Sequence, residues 1–184
     1  MINQAINSPQ FVSFLHELNG SFFNVKQERN IRDFLVNYIN KNNNIFCYSE
    51  EPRDGSKKAD FQIEHAGGSK TIVEMKYQYR KDLRYKKVRN PIIEDIGLKT
   101  INGIKCDIFL LIIHSRPGVH SFKSNSSVSP LYPHLDNEKE LWKSMLKLCK
   151  EIKRVRPYKK LHRYASINIH QPFHSQYDFI GYEF

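Results

Sequence analysis

The stretch KADFQIEHAGGSKTIVEMKY, residues 58–77, decides the predicted fold because it contains two strand-like segments joined by a glycine-rich turn. Residues 59–64 and 70–77 are rich in β-branched and aromatic side chains and predict two strands. Residues 65–69, with two consecutive glycines, predict the turn of a β-hairpin.

The register of this hairpin follows from the pattern of apolar residues. A turn centred on Gly67 places Asp60 opposite Glu74 and Phe61 opposite Val73. The polar pair then lies on one face and the apolar pair on the other. A register shifted by one residue would mix the faces at a cost in burial, so patterning favours the first register.

Lys76 points to the same side as Glu74, because side chains alternate between the two faces of a strand. Two carboxylates as close as Asp60 and Glu74 repel each other unless a cation or a shared proton lies between them. A hard, oxygen-preferring ion such as Mg²⁺ suits this pair. Such an ion lowers the pKa of a bound water, and a lysine can position that water, which is what phosphodiester hydrolysis requires.

The flanking sequence predicts an α/β domain with a mixed β-sheet flanked by helices on both faces. No internal boundary is evident, so residues 1–184 are expected to form a single domain. The other predicted elements are helices over 8–20, from about 24 to 42, 91–102 and 137–154, and strands over 45–48, 107–114, 164–170 and 177–184. Residues 115–134, rich in Ser, Pro and Gly, predict a long loop.

At Asp60 and Glu74-Met75-Lys76 the sequence resembles the PD-(D/E)xK nuclease superfamily, which has the restriction-endonuclease-like fold. The resemblance implies that Asp60 and Glu74 bind Mg²⁺, with Mn²⁺ as a substitute, helped by the carbonyl of Met75. It also implies that Lys76 is the catalytic lysine. The proline that precedes the first acid of the family motif is replaced here by Ala59.

The family core consists of a helix, three strands, a helix and a strand, an order that the predicted elements follow over residues 24–114. Residues 136–184 then form an elaboration of that core. Many members carry a glutamate on the first core helix that faces the site. Glu28 is the residue that matches, because it interrupts an otherwise apolar helical face; a first-turn glutamate also interacts favourably with the helix dipole.

The chain is strongly basic, with a formal net charge of +10, which indicates a polyanionic partner such as DNA. A basic segment follows the catalytic motif and predicts contacts with nucleic acid, although an exposed charged helix is an alternative. Its cations are Arg80, Lys81, Arg84, Lys86, Lys87 and Arg89. A second basic cluster, within 150–163, would flank the groove or form a solvated helix end.

The cysteines and histidines of the sequence do not favour a different chemistry. The three cysteines are widely spaced, which predicts reduced core thiols in a cytoplasmic protein without a membrane segment. His170 and His174 could suggest zinc, but Pro172 between them argues against a helical pair of ligands.

The sequence therefore predicts a Mg²⁺-dependent endonuclease acting on double-stranded DNA, in restriction, defence or repair. Cleavage of both strands by one site per chain favours a homodimer. The alternatives are a non-catalytic nucleic-acid-binding module on the same fold, and an RNA-directed or structure-specific nuclease such as a junction resolvase.

Overall fold

The computed structural model of the protein describes residues 1–22, 26–42, 45–49, 59–98, 100–101, 104–115, 138–171 and 174–184. The predicted loop over 115–134 lies almost entirely outside these ranges. Within them, no helix combines the length and the apolar character needed to cross a membrane.

Groups of helices and groups of strands follow each other along the described residues. The helices are α1 (Ile2–Ile6), α2 (Pro9–Phe22), α3 (Glu28–Asn42), α4 (Lys86–Leu98) and α5 (Glu138–Val155), with a short 3-10 helix at Arg80–Arg84. The strands are β1 (Phe46–Tyr48), β2 (Phe61–Glu64), β3 (Lys70–Tyr79), β4 (Thr100–Ile101), β5 (Ile104–Lys105), β6 (Ile108–Ser115), β7 (Lys160–Ile169) and β8 (Ser175–Glu183).

Six of the described strands form one mixed sheet in the order β1-β2-β3-β6-β8-β7. β3 and β6 are parallel, and the other neighbouring strands are antiparallel. The predicted α/β class with a mixed sheet is confirmed. The C-terminal strands extend this same sheet, because β8 pairs directly with β6 along its whole length.

Apolar side chains cover both faces of the sheet. One face packs against α1, α2 and α3, where Ile31 and Leu35 are fully buried, and the other packs against α4 and α5, where Ile92 and Leu148 are fully buried. β6 contributes to both clusters and is buried from Phe109 onward. The strand predicted over 107–114 is therefore a central strand that is buried on both faces.

The helix that was predicted over 8–20 starts as expected but continues further. The Ser8 hydroxyl caps it by accepting a hydrogen bond from the amide of Phe11 at 3.2 Å. The predicted end at residue 20 is wrong, because α2 runs on to Phe22. Asn19 is buried, and its side chain accepts a hydrogen bond from Ser175 on β8 at 2.8 Å. This tertiary contact holds the residue within the helix.

The bounds predicted for α4 were also wrong. The helix begins five residues before Pro91 and ends at Leu98. Thr100, which was predicted to lie on the helix, instead belongs to β4 and pairs with Lys105 of β5. The start is early because the carbonyl of Tyr85 accepts hydrogen bonds from the amides of Val88 and Arg89.

Candidate functional site

The β2–β3 hairpin has the register that the sequence predicts. Phe61 pairs with Val73 and Glu64 with Lys70, so the turn is centred on residue 67. Gly67 and Gly68 have φ angles of 103° and 81°, which other residues rarely adopt. Continuing this register by one residue, Asp60 lies at the position opposite Glu74.

β3 continues for six residues past Val73, the last of its residues that pairs with β2, so β2 does not satisfy the backbone N–H and C=O groups along this part of the edge. Two predicted site residues supply acceptors there. The Asp60 carboxylate accepts a hydrogen bond from the amide of Met75 at 2.6 Å, and the Glu28 carboxylate accepts one from the amide of Tyr77. The acids on α3 and before β2 are thus brought to the same edge of β3.

A buried polar network fixes the start of α3 next to this edge. The side-chain carbonyl of Gln27 accepts hydrogen bonds from the hydroxyls of Tyr77 and Tyr177, at 3.5 and 2.8 Å. The Tyr77 hydroxyl also contacts Nδ1 of His114. All four residues are fully buried. Because Gln27 precedes Glu28, the network determines where the Glu28 carboxylate lies.

Glu28 carries its charge at an energetic cost. Burial raises the pKa of Glu28 above its ordinary value, and the nearby charge of Asp60 raises it further. The hydrogen bond from Tyr77 and the positive charge of Lys76 act in the opposite direction without cancelling the effect of burial. Glu28, Asp60 and Lys76 are therefore close enough to interact electrostatically.

Glu74 is the most deeply buried of the predicted acids, with 3% of its surface exposed. It lies two residues after Ile72 and beside Phe109 of β6, so its side chain belongs to the sheet face that packs against α4 and α5. Its charge contributes to the raised pKa of the Cys106 thiol, about 11, of which burial is the main cause.

The Lys76 ammonium forms an ion pair with Asp95 of α4, with 2.7 Å between Nζ and Oδ2. The two side chains are 26% and 20% exposed, so the pair is accessible to solvent. Sequence reasoning missed Asp95. A signal was present, because Asp95 lies three residues after Ile92 and next to Ile96, on the helix face that packs against the sheet.

Carboxylate and carbonyl oxygens are the ligands that Mg²⁺ prefers, and the edge of β3 offers both kinds. The N–H and C=O groups of one strand residue point to the same edge, so the carbonyl of Met75 lies on the side of Asp60. Within the described ranges, however, no group of three or more histidine, cysteine, aspartate or glutamate side chains is arranged to hold a metal ion.

The basic segment after β3 has mixed surroundings. Lys86 and Lys87 are exposed, whereas Arg80 is buried. Arg89 is also buried and forms an ion pair with Glu151 of α5, which argues against the prediction that it contacts nucleic acid. The side chains of the two remaining predicted contacts, Lys81 and Arg84, lie outside the described part of the structure.

The structure describes the two histidines considered as zinc ligands and all three cysteines. His170 follows β7 and His174 precedes β8, and their Nδ1 atoms lie 3.4 Å apart. Cys47, Cys106 and Cys149 are free thiols, as predicted.

Comparisons with known proteins add no relative: no family model matches the sequence, and no match was found among curated proteins or among solved structures.

Proposed function

We propose that this protein is a Mg²⁺-dependent endonuclease that hydrolyses phosphodiester bonds of double-stranded DNA. The observation that carries the proposal is the convergence of acidic side chains and one lysine on residues 74–77 of β3. Glu28 comes from α3, Asp60 from the residue before β2, and Glu74 and Lys76 from β3 itself.

The order of the elements supports the proposal. From α3 onward the described residues form a helix, three consecutive antiparallel strands, a helix, and then β6 parallel to β3; the 3-10 helix and the short β4–β5 pair are additional. This order agrees with the restriction-endonuclease-like core that the sequence motif implies. Asp60 directly precedes the first residue of β2, and Glu74 to Lys76 lie in the middle of β3.

Each residue has a role that its position allows. Asp60, Glu74 and the carbonyl of Met75 would bind Mg²⁺, which when bound polarises a phosphate oxygen and lowers the pKa of a water. The Lys76 ammonium would orient the attacking water and stabilise negative charge on the phosphate. Glu28 would complete the polar environment beside Asp60, and Lys86 and Lys87 would contact the DNA backbone.

Cleavage of supercoiled plasmid in Mg²⁺ tests the proposal. The wild-type protein is expected to nick or linearise the plasmid, and Lys76→Ala to reduce the rate by roughly 100-fold or more. Lys70→Ala is the matched control, because it removes an exposed lysine from the same strand. Binding without cleavage in both Mg²⁺ and Mn²⁺ would sink the proposal, as would equal rates for the two variants.

A second function, a non-catalytic nucleic-acid-binding module, is favoured by one observation. No three described histidine, cysteine, aspartate or glutamate side chains are grouped to hold a metal ion, and Asp60 and Glu28 each accept a backbone hydrogen bond. For such a module, DNA binding would be the same with Mg²⁺ and with a chelator, and the plasmid would stay supercoiled.

A further inference from the structure

One face of α5 carries an unusual concentration of positive charge. The residues that form it recur at intervals of four, three and four, so they lie along one side of the helix, and all of them are exposed. This cationic stripe consists of Lys143, Lys147, Lys150 and Arg154. None of them forms an ion pair with another described residue.

The charge pattern of the stripe opposes helix stability. Like charges three or four residues apart on a helix destabilise it by roughly 0.2–0.5 kcal/mol per pair. Glu151 is the only acidic residue within 141–155, and it is paired with Arg89 of α4 instead of with the stripe. A helix face that keeps such a pattern without compensating acids indicates a polyanionic partner.

The opposite face of α5 is committed to the core. Its buried side chains are Met145, Leu148 and Ile152. They pack against the face of the sheet that carries Ile72, and Glu74 lies on the same face of β3. Among the described side chains of α5, only Leu146 and Val155 are apolar and exposed, too few to form a face that inserts into a lipid surface, which argues against a membrane as the partner. The stripe lies on the same side of the sheet as Glu74 and Lys76.

We propose that the cationic stripe binds the phosphate backbone of duplex DNA. The choice of DNA rests on the proposed function, whereas the need for a polyanion rests on the stripe itself. From Lys143 to Arg154 the helix rises by roughly 16 Å, enough to contact several phosphates. Residues 143–155 contain no aromatic side chain on which unpaired bases could stack, which favours the backbone of a duplex over single strands.

Binding can be measured without cleavage by fluorescence anisotropy of a labelled duplex of about 30 base pairs. The buffer contains a chelator, and the measurement is repeated over a series of salt concentrations. Lys147→Gln with Lys150→Gln removes two charges from the stripe. Lys41→Gln with Lys70→Gln is the control, because it removes two exposed charges from elsewhere, one on α3 across the sheet and one at the hairpin.

The stripe variant is expected to bind the duplex about tenfold more weakly. The plot of log K against log[salt] should also become less steep by roughly 1.8, because about two phosphate contacts are lost. The control should change less in both affinity and slope. Equal affinities and slopes for the two variants would overturn the proposal. Binding to phosphatidylserine vesicles that depends on the stripe, with unchanged DNA binding, would overturn it in favour of a membrane. Because the assay needs no cleavage, it is independent of the test of catalysis.

Discussion

Lys76 ends the catalytic motif and Arg89 ends the basic segment that follows it, and each forms a short ion pair that involves α4. The Lys76 ammonium lies 2.7 Å from Asp95, and the Arg89 guanidinium lies 2.8 Å from Glu151. The two pairs differ in their surroundings. The Lys76 side chain is 26% exposed beside Glu28 and Asp60, whereas the Arg89 side chain is 2% exposed between α4 and α5.

This difference separates a structural cation from a candidate catalytic one. Arg89 also donates a hydrogen bond to the carbonyl of Leu83 at 2.9 Å, so it joins α5 and the 3-10 helix to α4. Lys76 meets solvent next to a group of acids, where a substrate phosphate could reach it. The positive charge of a lysine or arginine in this part of the sequence therefore does not by itself indicate function. The exposure of its side chain to solvent and the presence of acidic neighbours are better indicators.

The largest expected effect concerns the structural pair. Arg89→Ala leaves the partly buried Glu151 without its partner and removes a packed side chain, so the free energy of unfolding should fall by about 3 kcal/mol or more. Urea denaturation followed by circular dichroism measures this change. Lys76→Ala, at the accessible pair, should lose less than about 1 kcal/mol in the same experiment. Similar losses for both variants would remove the distinction between the pairs.

A smaller effect is expected at the partner of Lys76. Asp95→Asn weakens the contact that orients the ammonium, so the cleavage rate should fall roughly tenfold while the Kd for DNA changes little. Glu94→Gln is the control, because it removes an exposed acid from the adjacent position of the same helix. An equal decrease for both variants would mean that only the overall charge of α4 matters.

The smallest effect is a pH-dependent change in stability at Glu28. Its pKa is raised in the folded protein, so the folded state holds the proton more tightly and stability falls as pH rises from the unfolded pKa through the raised one. Glu28→Gln keeps an acceptor for the amide of Tyr77 without the buried charge. In a chelator it should be at least as stable as wild type at pH 7, with a smaller advantage at pH 4.

Glu17→Gln, which removes the charge of an exposed acid on α2, is the matched control. If Glu28→Gln were clearly less stable than wild type at pH 7, the carboxylate would be part of the structural framework and its burial would not oppose folding.

The hairpin could be predicted from the sequence because its register depends on local signals. The Gly67-Gly68 turn and the alternation around Val73 suffice to place Asp60 at the position opposite Glu74. The cap at Ser8 is likewise local, since its hydroxyl bonds within the adjoining turns of the chain.

The ion pair of Asp95 with Lys76 and the burial of Arg89 depend on contacts between elements that are distant in sequence. Because proline favours the first turn of a helix, Pro91 suggested a start that excluded Arg89 from α4. With the observed start, Arg89, Ile92 and Ile96 share one helical face, which would have indicated burial. The partner of Arg89 lies 62 residues away on α5, and no local pattern reveals such a contact.

Binding of Mn²⁺, measured by the loss of the free-ion signal in electron paramagnetic resonance, tests most directly whether the acids at the edge of β3 form a metal site. The wild-type protein should bind Mn²⁺ and release it when Mg²⁺ is added. Asp60→Asn, which keeps an acceptor for the amide of Met75, should lose most of that affinity while remaining folded. No binding by the wild-type protein, or equal binding by the variant, would contradict a metal-dependent site at Asp60 and Glu74.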